Sequence, residues 1–213
     1  MSTPIPVTVL TGYLGAGKTT LLNRILTEDH GKKYAVIVNE FGEVGLDHLF
    51  LESRADGEMV LLSSGCLCCT ARGDLVATLE DLFRARDEGS GNLFQRVLIE
   101  TTGLANPGPV AQTFFMDEEV ATSYLLDGVV TVIDASNAMQ QLDRFQEAQR
   151  QVGFADRMLL SKTDLVSDDQ VRRLEARLKQ INPRAPIAHV NFGQAPIADI
   201  AVVTILAVSA MGL

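Results

Sequence analysis

The segment from Gly12 to Thr19 has the residue types and spacing of a phosphate-binding loop. It reads GYLGAGKT and matches the pattern G-x-x-x-x-G-K-[ST]. Glycines allow backbone N–H groups to close around phosphate oxygens, and a helix that starts there adds the positive end of its dipole. We expect Lys18 to reach the β- and γ-phosphates and Thr19 to ligate Mg²⁺. The predicted nucleotide contacts in this loop are Gly12, Gly15, Ala16, Gly17, Lys18 and Thr19.

The residues on either side of this loop supply the elements that such a loop requires. Val7–Leu10 is a short apolar run that predicts a buried strand. After the loop, Leu21, Leu22, Ile25 and Leu26 recur at helical spacing. A glycine-rich turn by chance would not be expected to lie between a strand and a helix. The sequence therefore predicts binding of a nucleoside triphosphate.

An acidic segment, Asn39–Asp47, follows the second predicted strand and includes Glu40 and Glu43. Runs of this kind are usually solvated loops. In a nucleotide-binding domain, however, this position also suits a switch segment, which the γ-phosphate and Mg²⁺ order. We favour the switch interpretation.

All three cysteines of the chain, Cys66, Cys68 and Cys69, lie within four residues between a predicted strand and a predicted helix. They could be buried structural cysteines or a redox-active thiol pair. A helix N-terminus stabilises thiolates, the form that ligates soft and borderline metals, so we favour a metal site. Cys68 and Cys69 are adjacent and cannot easily face one ion together. Glu43, a histidine or water could complete an open site suited to a transferable ion.

Two further patterns follow later predicted strands. Glu100 ends an apolar run and precedes Gly103 by three residues, which is the arrangement that holds the Mg²⁺ shell opposite a phosphate-binding loop. Lys162 and Asp164 lie in the segment SKTD. A carboxylate there can accept hydrogen bonds from N1–H and the 2-amino group of guanine, whereas adenine would leave it unpaired. The Lys162 stem could lie over the purine ring.

Apolar runs and amphipathic segments alternate along the chain. The clearest helix follows Ser167 and Gln170, which have capping-box spacing, and extends to Ile181. Such alternation predicts an α/β protein: a three-layer P-loop NTPase fold whose mostly parallel sheet carries helices on both faces. The predicted strands are Val7–Leu10, Ala35–Val38, Met59–Leu62, Val97–Ile99, Val129–Ile133, Met158–Leu160 and Ile187–Val190.

Composition narrows the classes of partner. The chain of 213 residues has a net charge of −9, which would repel nucleic acid. Its longest apolar run, Ile200–Leu213, is too short to span a bilayer, and Met1–Pro6 lacks the features of a signal peptide. We therefore expect a cytoplasmic protein with no nucleic-acid or membrane partner. Clustered cysteines also argue against a disulfide framework.

Together, the segments GYLGAGKTT, NEFGEVGLD, CLCC, ETTGLANP and SKTD resemble the CobW-type metallochaperone GTPases, especially their YjiA-like branch. The resemblance covers about Pro6 to Phe192. It implies a P-loop GTPase domain followed by a smaller C-terminal domain, and slow GTP hydrolysis linked to delivery of zinc or a related metal to a client protein. It also implies that Thr20 joins Lys18 and Thr19 in serving phosphate and Mg²⁺.

The resemblance assigns guanine recognition to Lys162 and Asp164, and the transported metal (zinc or cobalt) to Glu43 with Cys66, Cys68 and Cys69. Ser161 replaces the more common asparagine of the guanine motif and is expected to loosen that loop. Val38 stands where some relatives have an acidic metal ligand. We expect residues 1–213 to form one GTPase domain, with an uncertain tail at 195–213 and without the C-terminal domain.

The leading hypothesis is a Mg²⁺-dependent GTPase whose nucleotide state controls a thiolate metal site. The main alternative is a metal carrier or sensor that binds GTP without significant turnover. A P-loop kinase is a third hypothesis, which the guanine motif disfavours. No residue has the type and position of a general base for water, so intrinsic hydrolysis is expected to be slow or to require a partner or a homo-oligomer.

Overall fold

The computed structural model of the chain describes residues 3–27, 33–38, 72–87 and 94–190, with the backbone alone for residues 72–74. Several predicted features lie outside these residues. They are the strand Met59–Leu62, the acidic segment with Glu43, the cysteines Cys66, Cys68 and Cys69, and the tail at 195–213. The other six predicted strands and the helix after Ser167 lie within them.

The described elements alternate as the sequence predicts. The six strands are β1 (Ile5–Thr11), β2 (Tyr34–Val38), β3 (Arg96–Glu100), β4 (Tyr124–Asp134), β5 (Arg157–Ser161) and β6 (Ile187–Val190). The helices are α1 (Lys18–Thr27), α2 (Arg72–Asp87), α3 (Pro107–Met116), α4 (Glu118–Ser123), α5 (Ala138–Arg144), α6 (Gln146–Phe154) and α7 (Asp168–Ile181). Each of the six predicted strands that can be compared is confirmed, extended by up to five residues at an end.

The six strands form one parallel sheet in the order β2-β3-β1-β4-β5-β6. Register places Leu10 of β1 beside Glu100 of β3, and Asp134 of β4 beside Ser161 of β5. The carboxyl ends of four neighbouring strands therefore meet at one edge. In open α/β sheets this edge binds ligands, especially where the strand order reverses, as it does at β1.

Helices cover both faces of the sheet, but unequally among the described residues. On one face, α1 packs Leu21, Leu22 and Ile25 against strand residues such as Leu10 and Val130. The opposite face carries α2 to α7, whose apolar side chains form two further clusters with the alternate strand residues. This arrangement confirms the α/β prediction and leaves the start of α1 directly after β1 at the ligand-binding edge.

Helix α7 illustrates how local sequence determines an element. The Ser167 hydroxyl oxygen accepts a hydrogen bond from the Gln170 N–H, and the Gln170 side chain accepts one from the Ser167 N–H, which confirms the capping box. Val171, Leu174 and Leu178 are then buried along one stripe. Since this stripe packs behind β5 in the same apolar cluster as Met158 and Leu160, α7 supports the strand that ends at Ser161. Among the described residues, none of the helices has the length and hydropathy needed to cross a membrane.

A buried ion pair joins β3 and β4 at the opposite end of the sheet. The Arg96 guanidinium donates to the Asp127 carboxylate at 2.8 Å, and the two side chains are 7% and 1% exposed. Tyr34 lies beside them, and its pKa is raised mainly by burial, with Asp127 adding to the rise and Arg96 opposing it. Charges at this depth are tolerated only in pairs, so each partner requires the other.

Replacing Arg96 alone is expected to destabilise the fold strongly. Arg96→Met removes the guanidinium beside a buried carboxylate, and such a change costs about 3–5 kcal/mol of unfolding free energy. Urea unfolding would measure this loss. The double variant Arg96→Met/Asp127→Leu should recover most of it, because no buried charge remains. As a control, Arg84→Ala breaks an exposed pair with Asp81 and should cost less than about 1 kcal/mol. Equal losses of unfolding free energy in Arg96→Met and Arg84→Ala would contradict the prediction.

Candidate functional site

The loop between β1 and α1 needs glycine for two different physical reasons. Gly12 has φ 145°, and a Cβ there would lie 2.2 Å from the Val132 carbonyl oxygen, so any side chain would collide with β4. Gly15 and Gly17 have φ 74° and 97°, which favour glycine, yet a Cβ at either would meet no described atom within 4 Å. The loop thus packs tightly on the sheet at Gly12 and, with respect to the described atoms, is open at Gly15 and Gly17. This is the shape expected of a phosphate cradle.

Lys18 is the first residue of α1 and is only 8% exposed. Its Nζ donates to the Gly12 carbonyl oxygen at 2.8 Å and approaches that of Tyr13 at 3.4 Å. Burial lowers the pKa of Lys18, while the nearby Glu100 carboxylate opposes that shift. A partly desolvated ammonium at a helix N-terminus gains most from a multiply charged anion such as a phosphate chain. The next two residues, Thr19 and Thr20, are exposed on the first turn of the helix.

Thr19 and Glu100 come together although they are 81 residues apart in the sequence. The Thr19 hydroxyl donates to Glu100 Oε1 at 2.9 Å, and Glu100 is 6% exposed at the end of β3. A hydroxyl and a carboxylate are the oxygen donors that Mg²⁺ prefers. The residues present therefore fit the predicted magnesium site.

The loop after β3 lies against the phosphate-binding loop. Thr101 donates its hydroxyl proton to Thr11 Oγ1 at 2.9 Å, and its N–H donates to the Leu10 carbonyl oxygen at 2.9 Å. A Cβ at Gly103 would lie 2.6 Å from Leu14 Cδ2 and 2.8 Å from the Leu14 nitrogen. Glycine is therefore required at 103 by close contact with the neighbouring loop.

The SKTD segment is tied to the phosphate-binding loop by two side chains. The Ser161 hydroxyl donates to the Ala16 carbonyl oxygen at 2.7 Å, and Lys162 Nζ donates to the Gly15 carbonyl oxygen at 2.8 Å. The short Ser161 hydroxyl reaches Ala16 directly, and the expectation that serine loosens this segment stays a prediction. Asp164 follows in a short 3₁₀ turn, Thr163–Leu165, and is exposed to solvent.

Asp134 joins this arrangement, although the sequence analysis did not identify it. It is 1% exposed at the end of β4, and its Oδ2 accepts from Lys162 Nζ at 2.7 Å and from Asn137 Nδ2 at 3.0 Å. Burial alone would raise the pKa of Asp134, but hydrogen bonds from Lys162, Ser136 and Asn137 hold that pKa below its usual value. Asp134 therefore stays ionised at neutral pH and orients Lys162. Asp134 directly follows the predicted strand Val129–Ile133, and this position is the sequence feature that could have identified it as a site residue.

Gln151 of α6 was also missed. It is 1% exposed, and its Nε2 donates to the carbonyl oxygens of Gly103 at 3.1 Å and Ala105 at 3.0 Å. The segment QEAQRQVGF contains three glutamines. Nothing in the sequence distinguishes the one that faces the loop after β3.

The metal-ligating part of the predicted site cannot be placed. Glu43, Cys66, Cys68 and Cys69 lie outside the described residues, as does the acidic segment around Glu43. Within the described ranges, no group of three or more histidine, cysteine, aspartate or glutamate side chains could hold a metal ion. The described part of the molecule brings together the predicted nucleotide residues at one edge of the sheet.

Comparison with known proteins agrees with this geometry. The family model of the CobW/HypB/UreG nucleotide-binding domain matches residues 6–189. The chain is 50% identical over 190 residues to the zinc chaperone YjiA of Escherichia coli K12, covering 89% of this chain and 58% of YjiA. It is 40% identical over 201 residues to the zinc-regulated GTPase metalloprotein activator 1 of Schizosaccharomyces pombe, covering 90% of this chain and 47% of that protein.

Solved structures extend the comparison. The Zn(II)-bound YjiA GTPase from E. coli superposes with a TM-score of 0.73 at 44% identity, covering 93% of this chain and 61% of that one. The hydrogenase maturation factor HypB from Archaeoglobus fulgidus shares the fold, with a TM-score of 0.59 at 20% identity, covering 88% of this chain and 81% of that one.

The chain spans 58% and 47% of the two curated relatives, or about half their length. The family match nevertheless includes the phosphate-binding loop, Glu100 and the SKTD segment within residues 6–189, and it confirms the resemblance inferred from the motifs. The chain belongs to the CobW/HypB/UreG family through its nucleotide-binding domain.

Proposed function

We propose that this chain is a Mg²⁺-dependent, GTP-hydrolysing metallochaperone domain that binds zinc or a related transition metal at its CxCC segment and couples metal transfer to its nucleotide state. The observation that carries the proposal is the convergence of three segments at one sheet edge. Lys18 and Thr19 come from α1, Glu100 from β3, and Lys162 from the loop after β5. The names of the relatives, zinc chaperone and zinc-regulated GTPase metalloprotein activator, support the link to metal.

The phosphate chain of GTP would lie along the open side of the loop at Gly15 and Gly17, where no described atom would meet a Cβ. Lys18 starts α1 with its ammonium already held at the loop by the Gly12 carbonyl. It would exchange that neutral partner for charged phosphate oxygens, which form stronger hydrogen bonds with an ammonium. Exclusion of water by the surrounding core would strengthen this attraction.

Thr19 and Glu100 would hold Mg²⁺, which supplies positive charge that stabilises the transferring phosphoryl group. In the described structure the Thr19 hydroxyl and Glu100 carboxylate already lie 2.9 Å apart. Glu100 cannot drift away easily, because the neighbouring Thr101 is fixed to Thr11 of β1. The two proposed Mg²⁺ ligands are therefore held in position by the sheet and by the first turn of α1.

Guanine would be read by Asp164, with Lys162 beneath the base. The 3₁₀ turn Thr163–Leu165 leaves the Asp164 carboxylate exposed and available to a ligand. Lys162 has a left-handed backbone (φ 57°), which is uncommon for a residue with a side chain. Its ion pair with Asp134 and its bond to Gly15 hold this conformation. The base site is thereby tied mechanically to the phosphate site.

The transported metal would be held by Cys68 with Cys66 or Cys69, together with Glu43, and would be passed to a client metalloprotein. Helix α2 begins at Arg72, so the cysteine segment, which ends at Cys69, precedes its N-terminus by three residues in the sequence. That end of a helix stabilises thiolates. We further propose that the protein acts in the cytoplasm and can form homo-oligomers.

Single-turnover hydrolysis tests the enzymatic part of the proposal. We expect the wild type to release phosphate from GTP slowly in Mg²⁺ buffer, and zinc to change the rate. Lys18→Ala should abolish nucleotide binding or turnover, because it removes the buried ammonium of the loop. Lys33→Ala, at an exposed lysine just before β2, should behave as the wild type. GTP binding without phosphate release would instead favour a carrier or sensor.

Nucleotide choice tests the role of Asp164. We expect GTP to bind at least ~100-fold more tightly than ATP, because adenine would leave the Asp164 carboxylate without hydrogen-bond donors. Asp164→Asn should reduce this ratio sharply, because one of the two acceptor oxygens that face guanine N1–H and the 2-amino group is replaced by a donor NH₂. Asp168→Asn, a nearby exposed carboxylate in the first turn of α7, is the matched control. Equal affinities of the wild type for GTP and ATP would reject the guanine assignment.

Metal titration tests the cysteine segment and its coupling to the nucleotide. Co²⁺ should give thiolate-to-metal charge-transfer absorption that is lost in Cys68→Ser and weakened in Cys66→Ser or Cys69→Ser. Chelator competition in the nucleotide-free, GDP and non-hydrolysable GTP states should show metal affinities that differ by roughly 5- to 150-fold, the usual range for coupled sites. An unchanged spectrum in Cys68→Ser would show that the metal does not bind at Cys68. Identical metal affinities in all three nucleotide states would contradict the proposed coupling.

A further inference from the structure

The loop after β3 is held by one buried amide from a distant part of the chain. Gln151 lies on α6, and both hydrogen bonds donated by its Nε2 go to this loop, one to the Gly103 carbonyl oxygen and one to the Ala105 carbonyl oxygen. Carbonyl oxygens only accept hydrogen bonds. The Gln151 side-chain amide must therefore turn its nitrogen, and not its oxygen, toward the loop.

Gln151 is itself held in place on the sheet. The Thr131 hydroxyl of β4 donates to the main-chain carbonyl oxygen of Gln151 at 2.9 Å, and this bond is buried. Gln151 is 1% exposed, and its neighbours Ala148 and Val152 are buried in the apolar cluster beneath α6. A glutamine in such surroundings has few alternative rotamers, so the loop is fastened to a rigid support.

The bonds around Gly103 fix both of its peptide groups. The Ala105 N–H donates to the Thr102 carbonyl oxygen at 3.1 Å, and Gln151 donates to the Gly103 carbonyl oxygen at 3.1 Å. In a planar trans peptide the N–H points opposite to the preceding C=O. The orientation of the Thr102 carbonyl therefore fixes the direction of the Gly103 N–H.

The direction of the Gly103 N–H matters because Gly103 contacts the phosphate-binding loop. Gly103 lies so close to Leu14 that a Cβ at 103 would be 2.8 Å from the Leu14 nitrogen. Thr101, two residues earlier, is bonded to β1. The Gly103 peptide is thus held beside the loop that receives the phosphates, by β1 on one side and by Gln151 on the other.

We propose that Gln151 is a positioning residue that sets the Gly103 N–H for the terminal phosphate of a nucleoside triphosphate, and so contributes to discrimination between triphosphate and diphosphate. This inference rests on the proposed GTP site. Gln151 acts only through the backbone of the loop and does not touch the nucleotide. A diphosphate lacks the group that the Gly103 N–H would meet, so its affinity does not depend on Gln151.

The test is the ratio of affinities for a non-hydrolysable GTP analogue and for GDP, measured by calorimetry in Mg²⁺ buffer. Gln151→Met keeps the length of the side chain but has no donors. It should weaken analogue binding by about tenfold, the order expected for one or two lost neutral hydrogen bonds, and leave GDP affinity unchanged. Gln151→Asn, which is too short to reach both carbonyls, should shift the ratio in the same direction if the methionine variant folds poorly.

Asn182→Leu is the matched control. Asn182 is another buried amide, and its Nδ2 donates to the carbonyl oxygens of Val152 and Ala155 at 2.9 and 2.8 Å, at the C-terminal end of α6 and not to the loop after β3. Its loss should lower stability without changing the ratio of the two affinities.

A wild-type ratio in both Gln151 variants, or an equal loss of analogue and GDP affinity, would overturn the role of Gln151 while leaving the GTP site intact. Failure of the wild type to bind either guanine nucleotide would overturn the proposed function, and this inference with it.

Discussion

The candidate site depends on side-chain donors that hold the carbonyl groups of the phosphate-binding loop. Lys162 bonds to the carbonyl of Gly15 and Ser161 to that of Ala16, while Lys18 bonds to that of Gly12 and would exchange this bond for phosphate. Because each peptide N–H points opposite to its C=O, holding these oxygens also fixes the directions of N–H groups that phosphate would meet. Ser161 ends β5 and Lys162 follows it directly, so the base-recognition segment is also part of the support for the phosphate site.

Much of the fold could be predicted from the sequence because its signals are local. The run Val129–Ile133 and the capping box at Ser167 each specify an element without reference to the rest of the chain, and both are confirmed. The nucleotide residues could be located because they follow predicted strands whose ends must meet in a parallel sheet. Parallel pairing of β1 with β3 then brings Thr19 to Glu100.

Asp134 and Gln151 could not be predicted in the same way, because their roles arise from tertiary packing. Asp134 is important only after β4 and β5 align and bring Lys162 to within 2.7 Å. Gln151 depends on the rotation of α6 about its axis, which places one of three similar glutamines against the loop after β3. For the cysteine segment, the sequence indicates which side chains can bind a metal. It does not indicate how Glu43 and the thiols are arranged around one ion, and these residues lie outside the described ranges.

The proposed coupling between the nucleotide and the metal would require a physical connection from Gly103 toward helix α2, and the packing of the described face provides one between α3 and α2. Helix α3 begins immediately after the loop that contains Gly103, and its Asn106 cap accepts a hydrogen bond from the Gly108 N–H at 3.0 Å. Phe114 of α3 and Leu79 of α2 are buried in the same apolar cluster. Close-packed interiors transmit small displacements because they contain little free volume. A shift of the loop on loss of the terminal phosphate would therefore reach α2, which begins three residues after Cys69 in the sequence.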